Sequence, residues 1–129
     1  MKLLLDTHTL LWMIADDIRL PTSARRAIVA TEDLAWSTAS LWEIGIKLSL
    51  NRSDFRLGPG WEQRIPEEMT RNGIHRLDLQ PAHCAMVAKL PWHHRDPFDR
   101  LLVAQALCEK RRILGCDPAF DDYGIERVW

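Results

Sequence analysis

The chain has 129 residues, and that length makes one domain (1–129) the expectation. Hydrophobic residues make up 47% and charged residues 27%, an ordinary globular profile, and 17 Lys+Arg stand against 18 Asp+Glu. This balance excludes the broad basic surface of a charge-driven nucleic-acid binder and leaves any such activity to a local patch or a metal.

"KLLLD" (Lys2–Asp6) is a short apolar run closed by an acid and predicts a buried parallel strand. Asp6 and His8 interrupt the apolar stretch too early for a secretion signal, and no window approaches the roughly 18 apolar residues of a membrane span. "THTLLWMIAD" then reads as a helix, and a second one follows Pro21, starting at Thr22 or Ser23. "LAWSTA" (Leu34–Ala39) predicts a second strand. "SLWEIGIKLSL" predicts a helix apolar over most of its circumference and therefore largely buried. Asn51–Gly60 reads as a loop by its Asn, Gly and Pro content. "WEQRIPEEMTRNG" predicts a helix with Pro66 near its start or at a break, and "IHRLDL" (Ile74–Leu79) a third strand. A helix opened by Pro81 comes next, then one from about Asp96 to about Lys110. "RILGC" (Arg112–Cys116) is a fourth strand, "DPAFDDYG" a short helical turn and "IERVW" a terminal strand. The three cysteines (Cys84, Cys108, Cys116) are odd in number and lack a C-x-x-C, which fits reduced thiols in a cytoplasmic protein. Strands alternating with helices imply an α/β fold with a mostly parallel sheet covered on both faces.

The acids fall in one pattern. Asp6 ends the first strand, Glu43 lies in the first turn of the helix after the second, and Asp117 ends the fourth. Asp99 stands in the first turn of a helix that runs back into the fourth strand, and a right-handed crossover starts that helix at the carboxyl edge. All four are expected at the edge where open α/β sheets bind ligands. Each also has a purely structural reading. Asp96 is a good N-cap ahead of Pro97, Ser40 with Glu43 fits a capping box, Glu43–Lys47 is an i,i+4 pair, and Asp6 and Asp117 suit caps. Taken together, four converging carboxylates repel, and a cation relieves them. Oxygen-only ligands suit Mg²⁺ or Mn²⁺, and the matching chemistry is metal-assisted phosphodiester hydrolysis.

"LLLDTH", "STASLWEIGIKL", "HHRDPFDRLLVAQA" and "CDPAFDDYG" resemble, in order, the signature blocks of the PIN domain, specifically of a VapC-type ribonuclease toxin from a toxin–antitoxin pair. The likeness spans nearly the whole chain and is weakest between about Asn51 and Leu79. It implies a three-layer α/β/α sandwich and Mg²⁺- or Mn²⁺-dependent endoribonuclease activity on RNA. It also implies a small VapB-type antitoxin whose tail blocks the site, and a homodimer. The family's acidic quartet falls on Asp6, Glu43, Asp99 and Asp117, with Asp96 as an additional acid. Where the family often carries a Thr, two positions before the last acid, this chain has Gly115, leaving Thr7, Ser37 and Ser40 as nearby hydroxyls. That departure supports the alternative of a PIN-like module that binds without cleaving, and a metal-dependent cleavage assay on RNA separates the two.

Other residues invite roles. His93 and His94 lack a partner at metal-ligand spacing and are expected near phosphate at the surface, together with Arg95 and Arg100. His8 faces either the pocket or solvent. Trp12 and Trp42 are expected to serve packing rather than base stacking, although Leu11 or Trp12 is expected to add to the apolar surface that meets the antitoxin.

Overall fold

The computed structural model describes residues 1–51 and 55–129; part of the loop expected over Asn51–Gly60 lies outside the described residues. The strands are β1 (Lys2–Leu5), β2 (Asp33–Ser37), β3 (His75–Leu77), β4 (Arg112–Leu114) and β5 (Arg127–Val128). The helices are α1 (Thr7–Ala15), α2 (Thr22–Ala30), α3 (Thr38–Ser49), α4 (Trp61–Arg71), α5 (Pro81–Lys89) and α6 (Pro97–Glu109), and a 3-10 turn covers Pro118–Tyr123. The sheet runs β3-β2-β1-β4-β5 with every pairing parallel.

β1 is the central strand, and its three leucines explain the layering. Alternate side chains of a strand face opposite ways. Leu3 and Leu5 join one core with Leu10, Ala24, Ile44, Ile65 and Met69, so α1 to α4 cover that face. Leu4 points the other way into a core with Leu102, Val103, Ala106, Ile113 and Phe120, covered by α5, α6 and the 3-10 turn. The chain first winds outward from β1 to β3 and then crosses to β4 and β5. The switch between β1 and β4 opens a crevice at their carboxyl ends.

Several element limits differ from expectation for local reasons. β2 ends at Ser37, because the Ser37 hydroxyl accepts the Ala39 amide (3.0 Å) and starts α3 at Thr38, two residues before Ser40. Ser40 is therefore an interior helix residue and forms no capping box with Glu43. β3 is confined to His75–Leu77, and β4 stops at Leu114 as the chain turns toward Asp117. α4 runs through Pro66 without a break. α3 is less buried than its apolar circumference suggested: Ala39, Ser40, Glu43 and Ile44 are buried, whereas Trp42 is 60% exposed.

The three cysteines are unpaired, and among the described residues no helix is long and apolar enough to cross a membrane.

Leu4→Ala tests this layering. Leu4 is fully buried in the central strand. Its truncation should cost about 2–5 kcal/mol of unfolding free energy in denaturant titrations; a loss under about 1 kcal/mol would contradict a close-packed second core.

Candidate active site

Each acid reaches the crevice through the local chemistry of a helix start. Asp6 follows β1 and caps α1: its Oδ1 accepts the Thr9 amide at 2.8 Å. Asp96 caps α6, its Oδ1 accepting the amides of Phe98 (2.9 Å) and Asp99 (3.1 Å). Pro97 at the first helical position then gives up no needed hydrogen bond. Asp117 caps the 3-10 turn, its Oδ1 accepting the Ala119 amide at 2.9 Å. Asp99 stands in the first turn of α6 and caps nothing. In each of the three caps one oxygen is tied to backbone, and in Asp117 the other, Oδ2, faces the crevice beside His94.

Glu43 is held differently. It is 3% exposed, and Thr7 donates to its Oε1 at 2.6 Å while Lys47 donates to Oε2 at 2.5 Å. Thr7 has one hydroxyl proton and gives it to Glu43, so the 2.9 Å contact between Thr7 and Ser40 runs from Ser40 to Thr7. Ser37, the third hydroxyl, caps α3 and donates to Gln105 at 2.6 Å, away from the acids.

The electrostatics follow from this crowding. Burial, with the charges of Asp96, Glu43, Asp6 and Asp117, pushes the Asp99 carboxyl up to about 8. Burial also raises Asp6, against the lowering effect of its bonds at Thr9. Burial pulls the Lys47 ammonium down, but its bond to Glu43 and the charges of Glu43, Asp96 and Asp99 outweigh that, and its pKa is raised. Lys47 thus offsets part of the negative charge.

Gly115 explains the room given to Asp6. A Cβ on Gly115 would lie 2.6 Å from Asp6 Oδ2 and 2.8 Å from its Cγ. The Asp6 carboxyl occupies the space that a side chain at position 115 would fill. Thr9 lines the same corner, its hydroxyl donating to the Leu114 carbonyl at 3.0 Å.

Three neighbours depart from expectation. His94 lies among the acids, its Nε2 3.2 Å from Asp99 Oδ2 and 3.8 Å from Asp117 Oδ2. No spacing rule signals this, because the ring is placed by a turn between His94 and Asp96. Arg100 is buried and does not face a phosphate path. Its guanidinium donates to the carbonyls of Pro91 (2.8 Å), Val87 (3.4 Å) and Leu90 (3.4 Å) and lies under the Trp92 ring. Trp42 does not pack into the core; it meets Phe98 edge-on at 5.2 Å, beside Glu43 and Asp99 in sequence. Arg95 and His93 are exposed as expected, and His8 stacks near Trp12 at 5.7 Å.

As for a cation, one oxygen each from Asp99 and Asp117 and one nitrogen of His94 lie within 4.8 Å of one another. Asp6 and Glu43 stand close enough to raise Asp99. The crevice offers carboxylate oxygens in excess of the Lys47 ammonium beside them, a donor set that suits a hard divalent ion.

Two outcomes are expected. Asp99 keeps its proton in the fold at pH values where the unfolded chain has lost it, so its contribution to stability falls as pH rises from about 4 to about 8. Asp99→Asn removes that loss: in metal-free melts the variant should equal or exceed the wild type at pH 8, the gap closing near pH 4. A variant less stable than wild type at pH 8 would contradict the crowding. Gly115→Ala should lower stability by about 1–3 kcal/mol in chemical denaturation, because buried, amide-bonded Asp6 must move; an unchanged midpoint would show that Asp6 yields freely.

Comparison with known proteins agrees with this architecture. The PIN domain family matches residues 3–126. No curated protein sequence matches significantly. Among solved structures, the DNA-bound VapBC of Salmonella typhimurium aligns with TM-score 0.72 and 17% identity, covering 98% of this chain and 96% of that one. VapBC2 of Rickettsia felis, bound to a promoter DNA fragment, aligns with TM-score 0.70 and 14% identity over 98% and 97%. FitAcB of Neisseria gonorrhoeae aligns with TM-score 0.63 and 16% identity over 98% and 96%. The crossing from β1 to β4, the acids at their carboxyl ends and the match over residues 3–126 have one common reading: this chain belongs to the PIN domain family.

Proposed function

We propose that this protein is a metal-dependent endoribonuclease of the VapC toxin type, folded as one domain, neutralised by a VapB-type antitoxin and assembled as a homodimer. PIN domains are in general nucleases, so the finer steps are the metal, the RNA substrate and the partner. The observation that carries the reading is the convergence of carboxylates from four separate segments on the crevice between β1 and β4, where burial and the neighbouring charges push Asp99 up to about 8.

Asp6, Asp99 and Asp117 would hold the cation, with Glu43 behind them and Asp96 at the rim. A divalent ion there supplies positive charge to the phosphodiester oxygens and to an attacking water. The chain's own residues prepare that role. Lys47, Thr7 and Ser40 fix Glu43 so that its charge faces the crevice without competing hydroxyl rotors. The caps on Asp6 and Asp117 hold each carboxyl through one oxygen; the second oxygen of Asp117 faces the crevice, and that of Asp6 lies against Gly115. Asp99 gives up its proton as positive charge enters. Exposed Arg95, next to Asp96 at the mouth, suits an incoming phosphate through its planar fork.

The likeness to VapBC complexes supports a VapB-type partner. A basic side chain from such a partner fits a pocket of excess carboxylates, most directly an Arg making paired bonds. Of the two residues expected at its apolar surface, Leu11 is buried, whereas half-buried Trp12, against Trp129, keeps part of its ring exposed. Ile18 and Val29 are the exposed apolar side chains on the α1–α2 side.

Cleavage of single-stranded and structured RNA by the purified chain should require Mg²⁺ or Mn²⁺ and stop with chelator. Asp99→Asn should lower the rate about a hundredfold or more, the scale of losing one transition-state-stabilising group. Undiminished cleavage in excess chelator would overturn the mechanism, and no cleavage with either ion would favour a binding module. With the antitoxin bound, cleavage should cease. Neutralising its entering basic residue should weaken inhibition more than affinity, which apolar anchors supply; equal inhibition by that variant would place the block elsewhere.

A further inference from the structure

We infer that His94 is a donor that holds Asp99 and Asp117 together from outside the cation site, and is not itself a metal ligand. Its position invites the opposite conclusion. Nε2 is 3.2 Å from Asp99 Oδ2 and 3.8 Å from Asp117 Oδ2, and the three atoms fit within the reach of one ion.

The other ring nitrogen decides the matter. Nδ1 accepts the backbone amide of Asp96 at 3.2 Å. That amide always carries its proton, so Nδ1 must present a lone pair, and the single proton of the neutral ring sits on Nε2. Nε2 then has no lone pair to give a metal. A ligating imidazole shows the reverse arrangement: its remote nitrogen carries the proton and donates it to a carbonyl or carboxylate. Here the remote nitrogen faces a donor.

Nε2 is shut off from solvent, and among the described residues no acceptor aligns with it well. Its N–H therefore lies between two carboxylate oxygens without being committed to either. Asp99 on α6 and Asp117 after β4 come from different elements, and this donor stands between them. The Asp96 side chain caps α6 while its amide fixes the ring, so one residue sets both the helix start and the donor's direction. His94 is thus a positioning residue, and it leaves the cation an all-oxygen set, suited to Mg²⁺ or Mn²⁺ rather than to Zn²⁺.

This inference rests on the proposed cation site only where a cation is added. The test is ¹⁵N-histidine NMR of the full chain, without and with Mg²⁺, beside calorimetric titrations of Mn²⁺ and Zn²⁺ into wild type, His94→Gln and His94→Ala. The expected spectrum has a protonated Nε2 and a bare Nδ1 for His94 in both states. The glutamine variant, which keeps a donor, should bind Mn²⁺ within about threefold of wild type, and the alanine variant about tenfold or more weaker, the scale of a lost supporting partner. Zn²⁺ affinity should not fall in the glutamine variant. A bare Nε2 in the metal-free protein, or loss of its proton when Mg²⁺ binds, would overturn the inference. So would a glutamine variant as weak as alanine for Mn²⁺, with Zn²⁺ affinity lost as well. Failure of the wild type to bind any cation would count against the proposed function alone, and the metal-free spectrum would still decide the state of His94.

Discussion

Asp6, Glu43 and Asp99 set negative charge against negative charge in a crevice where little water screens them, and Asp96 and Asp117 add to it from the rim. The surrounding bonds answer that repulsion one group at a time. Asp6 and Asp117 each surrender one oxygen to a helix-start amide. Glu43 receives an ammonium and a hydroxyl. Asp99, with no cap to satisfy it, answers by holding its proton. The cluster is thus stable enough to fold and still short of positive charge, which is the condition that the proposed function requires.

The sheet makes this convergence possible. Parallel strands put every carboxyl end on one edge, and the reversal of winding between β1 and β4 leaves that edge uncovered where α1 and the 3-10 turn diverge. Of the helices that cover the sheet, α1, α3 and α6 start at this edge, so their positive ends face the acids. The proposed site shares its residues with the fold: the side chains that start α1, α6 and the 3-10 turn also build the crevice. Gly115 belongs to this economy of space, because the bend after β4 brings backbone against the Asp6 carboxyl.

Much of this was legible in the sequence because it is local. An acid before a helix start reads as a cap from a few residues, and Asp6, Asp96 and Asp117 all cap. The leucines of β1 read as a strand buried on both faces, and the alternation of elements as a parallel sheet. What escaped depends on partners distant in the chain or on a loop's exact path. Thr7 meets Glu43 across 36 positions. Arg100 looked like a phosphate ligand in "DPFDR", but the end of α5 and the residues after it turn the carbonyls of Val87, Leu90 and Pro91 inward, and the guanidinium goes to them. Ser37 and Ser40 are both acceptable caps, and the end of β2 chose the earlier one. Trp42 sits on a helix apolar nearly all round, whose buried stripe is set by α6 and β2 rather than by its own pattern. The direction of the His94 ring follows from one backbone amide that exists only once the turn is made.

The central claim is that these carboxylates form one coupled cluster whose missing positive charge is a divalent cation. Calorimetric titration of Mg²⁺ at pH 7, repeated in buffers of different ionisation enthalpy, tests it most directly. Because Asp99 is largely protonated at that pH, binding should release about one proton per cation, and affinity should rise toward pH 8. Binding without proton release, or no binding at all, would contradict it.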